Sequence, residues 1–210
     1  MSSIGAVILA SGDARRFGSN KLLAKLQDKP IASYIIETIG QSLKQGCIEQ
    51  AVCVTRYAEL IPLLKDTDIG VVLHSLPLVN DTIRLGTSYF TGSMHGNAPD
   101  GIMYCVADQP LLQVQTIASL CMAFQEHPHA IVRLAYTDPK TQTVHYANPV
   151  IFPSVYYEEL CTLPPEKTGK WIIQQHQDAV ITVSVDTYEQ ICDVDTEEQF
   201  AAICRLLGCP

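Results

Sequence analysis

The stretch Ile4-Gly5-Ala6-Val7-Ile8-Leu9-Ala10-Ser11-Gly12-Asp13-Ala14-Arg15-Arg16-Phe17-Gly18-Ser19-Asn20-Lys21 passes from an unbroken apolar run straight into a loop of glycines and cations. A run apolar at every position reads as a strand covered on both faces, as in a parallel sheet. The loop leaves the carboxyl end of that strand, the edge at which open α/β sheets bind their ligands. Its register is Gly12-x-x-x-Arg16-Phe17-Gly18-x-x-Lys21. Glycines let backbone N–H groups approach a ligand, and Arg16 and Lys21 offer a fork and a point charge for phosphate oxygens. Any one of these cations read alone is a solvated loop residue; the four positions together point to phosphate. The pattern is neither a dinucleotide fingerprint nor a Walker A loop.

Outward from this stretch, strand signals recur at 50–54, 70–73 and 102–106, with helical stretches at 31–43, 57–64, 80–90 and 114–125. Asp81 or Asn80 is the expected cap of the third helix, and 92–99 reads as loop. Beyond it come a strand at 130–135 and a turn at 137–143 that predicts a hairpin of 133–136 with 143–146. A separate strand follows at 149–152, then a helix from Ser154 to 161 and another at 170–175. The chain ends with strands at 180–185 and 191–194 and a helix opened by Thr196-Glu197-Glu198-Gln199. Strands alternating with helices predict one α/β domain over 1–210, a mainly parallel sheet with helices on both faces.

The 210 residues are 47% hydrophobic and 17% charged, enough to bury roughly 70% of the surface the unfolded chain exposes. That excludes disorder and coiled coil. Fourteen Lys and Arg against 22 Asp and Glu give a net charge of −8, which excludes nucleic acid held by broad phosphate neutralisation. The eight cysteines include no Cys-x-x-Cys pair, and most lie in apolar runs. They read as small hydrophobes in a reduced, cytoplasmic protein. The opening apolar run stops at Ala10, too short for a membrane span.

A second chemically loaded corner is Asp108-Gln109-Pro110, which ends the apolar strand at 102–106. Asp108 there is either a helix cap or a ligand for Mg²⁺, and spacing alone leaves both open. Asp193 and Asp195 sit at the end of the strand expected at 191–194 and just before the last helix, where Asp195 is equally placed to be a cap. His127-Pro128-His129 reads as a turn, and His145 and His176 as isolated histidines. Trp171 reads as core, with a place beside a flat ligand as the alternative. No Ser-His-Asp or Cys-His constellation is apparent.

These residues carry a resemblance. Leu9 to Leu23 is similar to the signature loop of the nucleotidyltransferases that attach a nucleotide to molybdopterin. Asp108-Gln109-Pro110-Leu111-Leu112 resembles the Asp-Gln-Pro corner of the molybdenum cofactor cytidylyltransferase branch, where guanylyltransferases more often carry Asp-Met-Pro. Asn148-Pro149-Val150-Ile151-Phe152 and Asp193-Val194-Asp195-Thr196-Glu197-Glu198 resemble two later landmarks. The family's Gly-Asp-x-Gly-Ala-Arg segment here reads Pro165-Glu166-Lys167-Thr168-Gly169-Lys170.

The resemblance implies a Rossmann-like nucleotidyltransferase fold and transfer of CMP from CTP to the terminal phosphate of molybdopterin, for molybdenum hydroxylase maturation. It implies that the backbone from Leu9 through Ala10 and Ser11 to Gly12 meets the base and ribose, and that Arg16 and Lys21 hold the triphosphate. Gly18, Arg84, Gln109 and Asn148 are the further binding positions. Asp108 is the implied Mg²⁺ ligand, with Asp195, or less favoured Asp193, as the second. No membrane or nucleic-acid partner is expected. Transfer to a sugar or alditol phosphate, or a non-catalytic role in holding molybdopterin, are the alternatives. A phosphate monoester acceptor is already anionic near neutral pH, so the chemistry asks for alignment and charge neutralisation rather than a base.

Overall fold

In the computed structural model, which describes residues 2–12, 20–92 and 97–208, β1 (Ile4–Ala10) splits its side chains between two apolar cores. Ala6 and Ile8 face one and Val7 the other, which is why the run is apolar throughout. A short hairpin, β2 (Lys25–Leu26) with β3 (Lys29–Pro30), leads into α1 (Ile31–Lys44). Then follow β4 (Gln50–Thr55), the single turn α2 (Ile61–Leu64), β5 (Ile69–Leu73) and α3 (Val79–Thr91). β6 (Gly101–Val106), α4 (Val114–Glu126), β7 (Ile131–Thr137) and β8 (Val144–Pro153) form the middle. The chain closes with α5 (Tyr157–Cys161), α6 (Gly169–Gln175), β9 (Val180–Ser184) and α7 (Glu197–Leu206).

Seven strands make one sheet in the order β5-β4-β1-β6-β8-β7-β9. β8 runs antiparallel to β6 and β7, and the other neighbours are parallel. The expected α/β architecture, a mainly parallel mixed sheet flanked by helices, is the one found. From β1 the chain first builds outward through β4 and β5, then returns to the other side with β6. The strand order therefore reverses between β1 and β6, and a crevice opens at their carboxyl ends.

Close backbone approach fixes α3 on β1. A Cβ on Gly86 would stand 2.5 Å from Val7 Cγ1, and one on Gly5 2.8 Å from the Phe90 ring. α7 docks separately, burying Ile203 and Val194 against Leu26 and Ile31. No helix among the described residues is long and apolar enough to cross a membrane. Cys53, Cys105 and Cys121 are buried free thiols, and burial pushes the Cys53 and Cys121 thiols up to about 12.

Several sequence expectations need correction. The two stretches expected at 143–146 and 149–152 fall in one strand, β8 (Val144–Pro153), which passes through a cis Asn148–Pro149 peptide. The expected strand at 191–194 is instead a 3₁₀ turn at Tyr188–Ile191 followed by extended chain, tied to the sheet's edge by Val194 N–H to the Asp108 carbonyl at 3.0 Å. Around 57–64 a 3₁₀ turn precedes α2. α3 is capped by neither Asn80 nor Asp81 at the N-cap: Leu78 holds that place, and Asp81 accepts from its N–H at 3.2 Å. Ser154 opens a 3₁₀ turn without a side-chain cap. Of the loop expected at 92–99, residues 93–96 lie outside the described residues.

Candidate active site

Lys21 opens a 3₁₀ turn whose Asn20 side chain accepts from Leu22 N–H at 3.2 Å, while the buried Leu22 anchors the turn in the core. This places the Lys21 ammonium 2.5 Å from Asp108 Oδ2 and 2.7 Å from Asp195 Oδ1. Burial works against its charge, but the charges and bonds of Asp108 and Asp195 outweigh it, and its pKa is raised. Asp108 is not a cap for α4, whose N-cap is Gln113. Its backbone sits where the β1–β6 ladder runs out, beside the Ala107 N–H to Leu9 carbonyl bond.

Asp195 is held by the start of α7. Thr196 and Gln199 cap the helix reciprocally, and Gln199 Oε1 also accepts from Asp195 N–H at 2.8 Å. Asp195 itself is not the N-cap. Asp193 lies across the fully buried Val194 from it. Burial, then the negative charges of Asp108 and Asp195, push the Asp193 carboxyl up to about 7, against the pull of Gln109 and Lys21. Its Oδ1 is buried without a hydrogen-bond donor. Gln109, 1% exposed, donates to the Ile191 carbonyl at 3.2 Å and so binds this segment to the corner.

The loop after β1 is gripped from the side by residues that sequence reading passed over. Thr55 Oγ1 donates to the Ala10 carbonyl at 2.9 Å. Arg56 donates twice to the Ser11 carbonyl, at 3.0 and 2.7 Å, and Tyr57 Oη donates to the Gly12 carbonyl at 2.8 Å. Ser11 Oγ donates to the Val54 carbonyl at 3.2 Å and meets His74 Nε2 at 2.8 Å. Since Leu76 N–H donates to His74 Nδ1, the network assigns the neutral Nε2–H tautomer. Burial, then the Arg56 charge, hold His74 below its ordinary value, with Asp81 partly opposing.

Two cavities open on this edge. One of about 470 Å³ is lined by Ser11, Gly12, Lys21, Arg56, Asp108 and Glu166 among others. The other, about 790 Å³, is lined by Tyr104, Arg133, Tyr146, Asn148, Lys170 and Asp193 among others. They share Leu9, Val79, Val106 and Asp195 as a common wall. Asp108 thus faces one chamber, Asp193 the other, and Asp195 the boundary.

The structure brings Leu9, Ser11, Gly12, Lys21, Asp108, Asn148 and Asp195 to these chambers, with Ala10 and Gln109 buried behind them. Arg84 stands apart, paired with Asp81 at 3.0 Å on α3 and lining neither chamber. Trp171 packs on the second core. Arg16 and Gly18 lie outside the described residues. Among the described residues no cluster of three or more His, Cys, Asp or Glu side chains is arranged for a metal; Lys21 stands between the two carboxylates.

Residues 6–180 match the pattern of the MobA-like NTP transferase domain. A molybdenum cofactor guanylyltransferase of Shewanella loihica is 45% identical over 69 residues, 32% of this chain and 35% of that protein. The match thus spans about a third of the length of such curated relatives. Rv0371c of Mycobacterium tuberculosis H37Rv, solved in complex with manganese, superposes with a TM-score of 0.71 at 20% identity, covering 97% of this chain and 99% of that one. A CMP:2-keto-3-deoxy-manno-octonic acid synthetase solved with CTP gives 0.76 at 12% identity, covering 99% of each chain. These two likenesses show the fold.

Proposed function

The chain belongs to the MobA-like NTP transferase domain family, and from that premise we propose that it is a Mg²⁺-dependent nucleotidyltransferase. It moves CMP from CTP to the terminal phosphate of molybdopterin and releases pyrophosphate. The whole chain, 1–210, acts as one nucleotidyltransferase domain in the cytoplasm, and its product passes to a molybdenum hydroxylase. The observation that carries this reading is the meeting of Lys21, Asp108 and Asp195 at the point where strand order reverses, on the wall between two chambers.

The donor set suits a hard divalent cation. Asp108 and Asp195 converge on one ammonium, so their oxygens already frame a cation, and the Asp193 Oδ1 acceptor lies nearby without a donor. Asp108 and Asp195 would hold Mg²⁺. When bound, it supplies charge neutralisation on the triphosphate oxygens. The remainder is done by the chain. Backbone groups of Ala10 to Gly12, held by Thr55, Arg56 and Tyr57, receive the nucleotide in the smaller chamber. Lys21 exchanges its carboxylate partners for triphosphate oxygens. An acceptor phosphate oxygen, entering from the larger chamber past Asp195, forms a bond to the α-phosphorus as the bond to the bridging oxygen breaks. The electron pair leaves with pyrophosphate. No proton has to be removed, which agrees with the lack of a histidine at the boundary between the chambers among the described residues.

The choice of CTP rests on the resemblance of Asp108-Gln109-Pro110 to the cytidylyltransferase branch and on the side chain that Ser11 adds to the loop. GTP is the competing reading, favoured by the name of the Shewanella relatives. Comparing kcat/KM for the two nucleotides decides between them, and equal or GTP-favouring values reject the CTP assignment. Ser11→Gly should relax the preference if the side chain narrows the base pocket.

A further inference from the structure

Arg133 and Lys170 are cations of the larger chamber that the scheme above leaves unused, and of the two only Arg133 is partly buried. It sits in β7 opposite Val150 of β8, but the next residue, Leu134, pairs with Ala147. Asn148 and Pro149 are therefore extra on β8, and this irregularity re-aims the side chains beside it. The Arg133 guanidinium carbon lies 3.5 Å from the centre of the Tyr146 ring. One face of the guanidinium is thus occupied, and its in-plane N–H groups are left as the donors. Among the described residues Arg133 has no carboxylate partner, and its Nε is buried without an acceptor. In a chain with 22 acidic residues against 14 Lys and Arg, an unpaired and partly buried guanidinium facing a cavity calls for an oxyanion from outside. A planar fork matches a phosphate or carboxylate in two parallel bonds.

The surroundings specify more of the ligand. Tyr146 and Tyr188 stand exposed at the chamber's rim, and His145 meets Tyr188 edge-on at 5.2 Å between ring centres. Arg133 pairs with Val150, which in turn pairs with Tyr104 of β6. Its backbone therefore lies about 10 Å to the side of Tyr104, four residues before Asp108. Its side chain lines the same chamber as Asp195, so an acceptor held by Arg133 stands on the side from which it passes Asp195. We infer that Arg133 is the acceptor-anchoring residue, gripping the oxyanion of a flat-ringed phosphate monoester whose ring lies along Tyr146 and Tyr188. This rests on the reading that a phosphorylated acceptor enters the larger chamber.

Neopterin 3′-monophosphate and unphosphorylated neopterin, followed by fluorescence anisotropy, are suitable probes. The wild-type protein should bind the phosphate at least tenfold more tightly than neopterin. Arg133→Met should remove that advantage and leave neopterin affinity unchanged. Arg133→Lys, which keeps the charge and loses the fork, should fall between the two and serves if Arg133→Met fails to fold. A wild-type protein that does not prefer the phosphorylated probe, or Arg133 variants that bind it as wild type does, would overturn the inference. CTP and GTP affinities with Mg²⁺, measured on the same proteins, separate it from the parent reading. If the Arg133 contrast holds while no nucleotide binds, the acceptor site stands and the nucleotidyltransferase reading falls.

Discussion

Lys21 Nζ stands 2.5 Å from Asp108 Oδ2, with the two side chains only 12% and 15% exposed. The pair joins the loop after β1 to the corner after β6, the two segments that flank the reversal of strand order. Low exposure keeps the attraction from being screened as a surface pair would be. Asp195, half exposed at 2.7 Å from the same ammonium, brings in the start of α7. Three segments distant in the chain are thereby drawn around one cationic centre.

Removing that centre should weaken nucleotide binding more than it harms the fold. A charge-assisted bond contributes about 1.5–3 kcal/mol, so Lys21→Ala is expected to lower CTP affinity in Mg²⁺ roughly tenfold to a hundredfold. Titration calorimetry checks this, and unchanged affinity removes Lys21 from the triphosphate site.

Asp108→Asn separates a metal role from a structural one. Because Gln113, not Asp108, stands at the N-cap of α4, no helix cap is lost. Stability should drop by about 1 kcal/mol, since Lys21 keeps Asp195. Turnover should fall roughly 100-fold or more, the size expected when a group that stabilises developing charge is lost. A variant that melts far earlier yet retains full activity per folded molecule would assign Asp108 to structure instead.

Gly86→Ala tests the seating of α3. The added methyl would meet the stiff, buried Val7 at 2.5 Å, and overpacking of this kind costs about 1–3 kcal/mol. Urea unfolding measures the loss; an unchanged midpoint would mean that α3 shifts without penalty.

His74 should make the fold sensitive to mild acid. Its pKa lies below the ordinary 6.5 in the fold, chiefly through burial and then the Arg56 charge. The unfolded chain therefore takes up the proton first as pH falls. The stability His74 contributes is present above pH 6.5 and lost as pH drops through that value towards the depressed one. Melting temperature should decline over this window, and His74→Gln should flatten the decline. Parallel curves for the two proteins would contradict the assignment.

β1 and β6 were legible in the sequence because both are covered on each face, which leaves an unbroken apolar run. Lys21, Asp108 and Asp195 stand out in the sequence because each follows or precedes an element whose signal is strong, but spacing leaves cap and ligand open for both aspartates. In the sequence β8 reads as two pieces because Asn148-Pro149 breaks the apolar pattern, although the pairing continues on either side. The segment at 191–194 reads as a strand because Ile191 and Val194 are apolar, yet in the fold they pack against different cores. The hold of Arg56, Tyr57 and His74 on the loop could not be read, since those side chains seek backbone carbonyls that only the folded sheet brings beside them. Arg133 was hidden for the same reason: its want of a partner is a property of the cavity.

Pyrophosphate release from each nucleoside triphosphate, with Mg²⁺ and with or without molybdenum cofactor as acceptor, tests the central claim most directly. The account expects release that depends on the acceptor, is fastest with CTP, and is lost in Asp108→Asn. Absence of acceptor-dependent release from every nucleotide would contradict it.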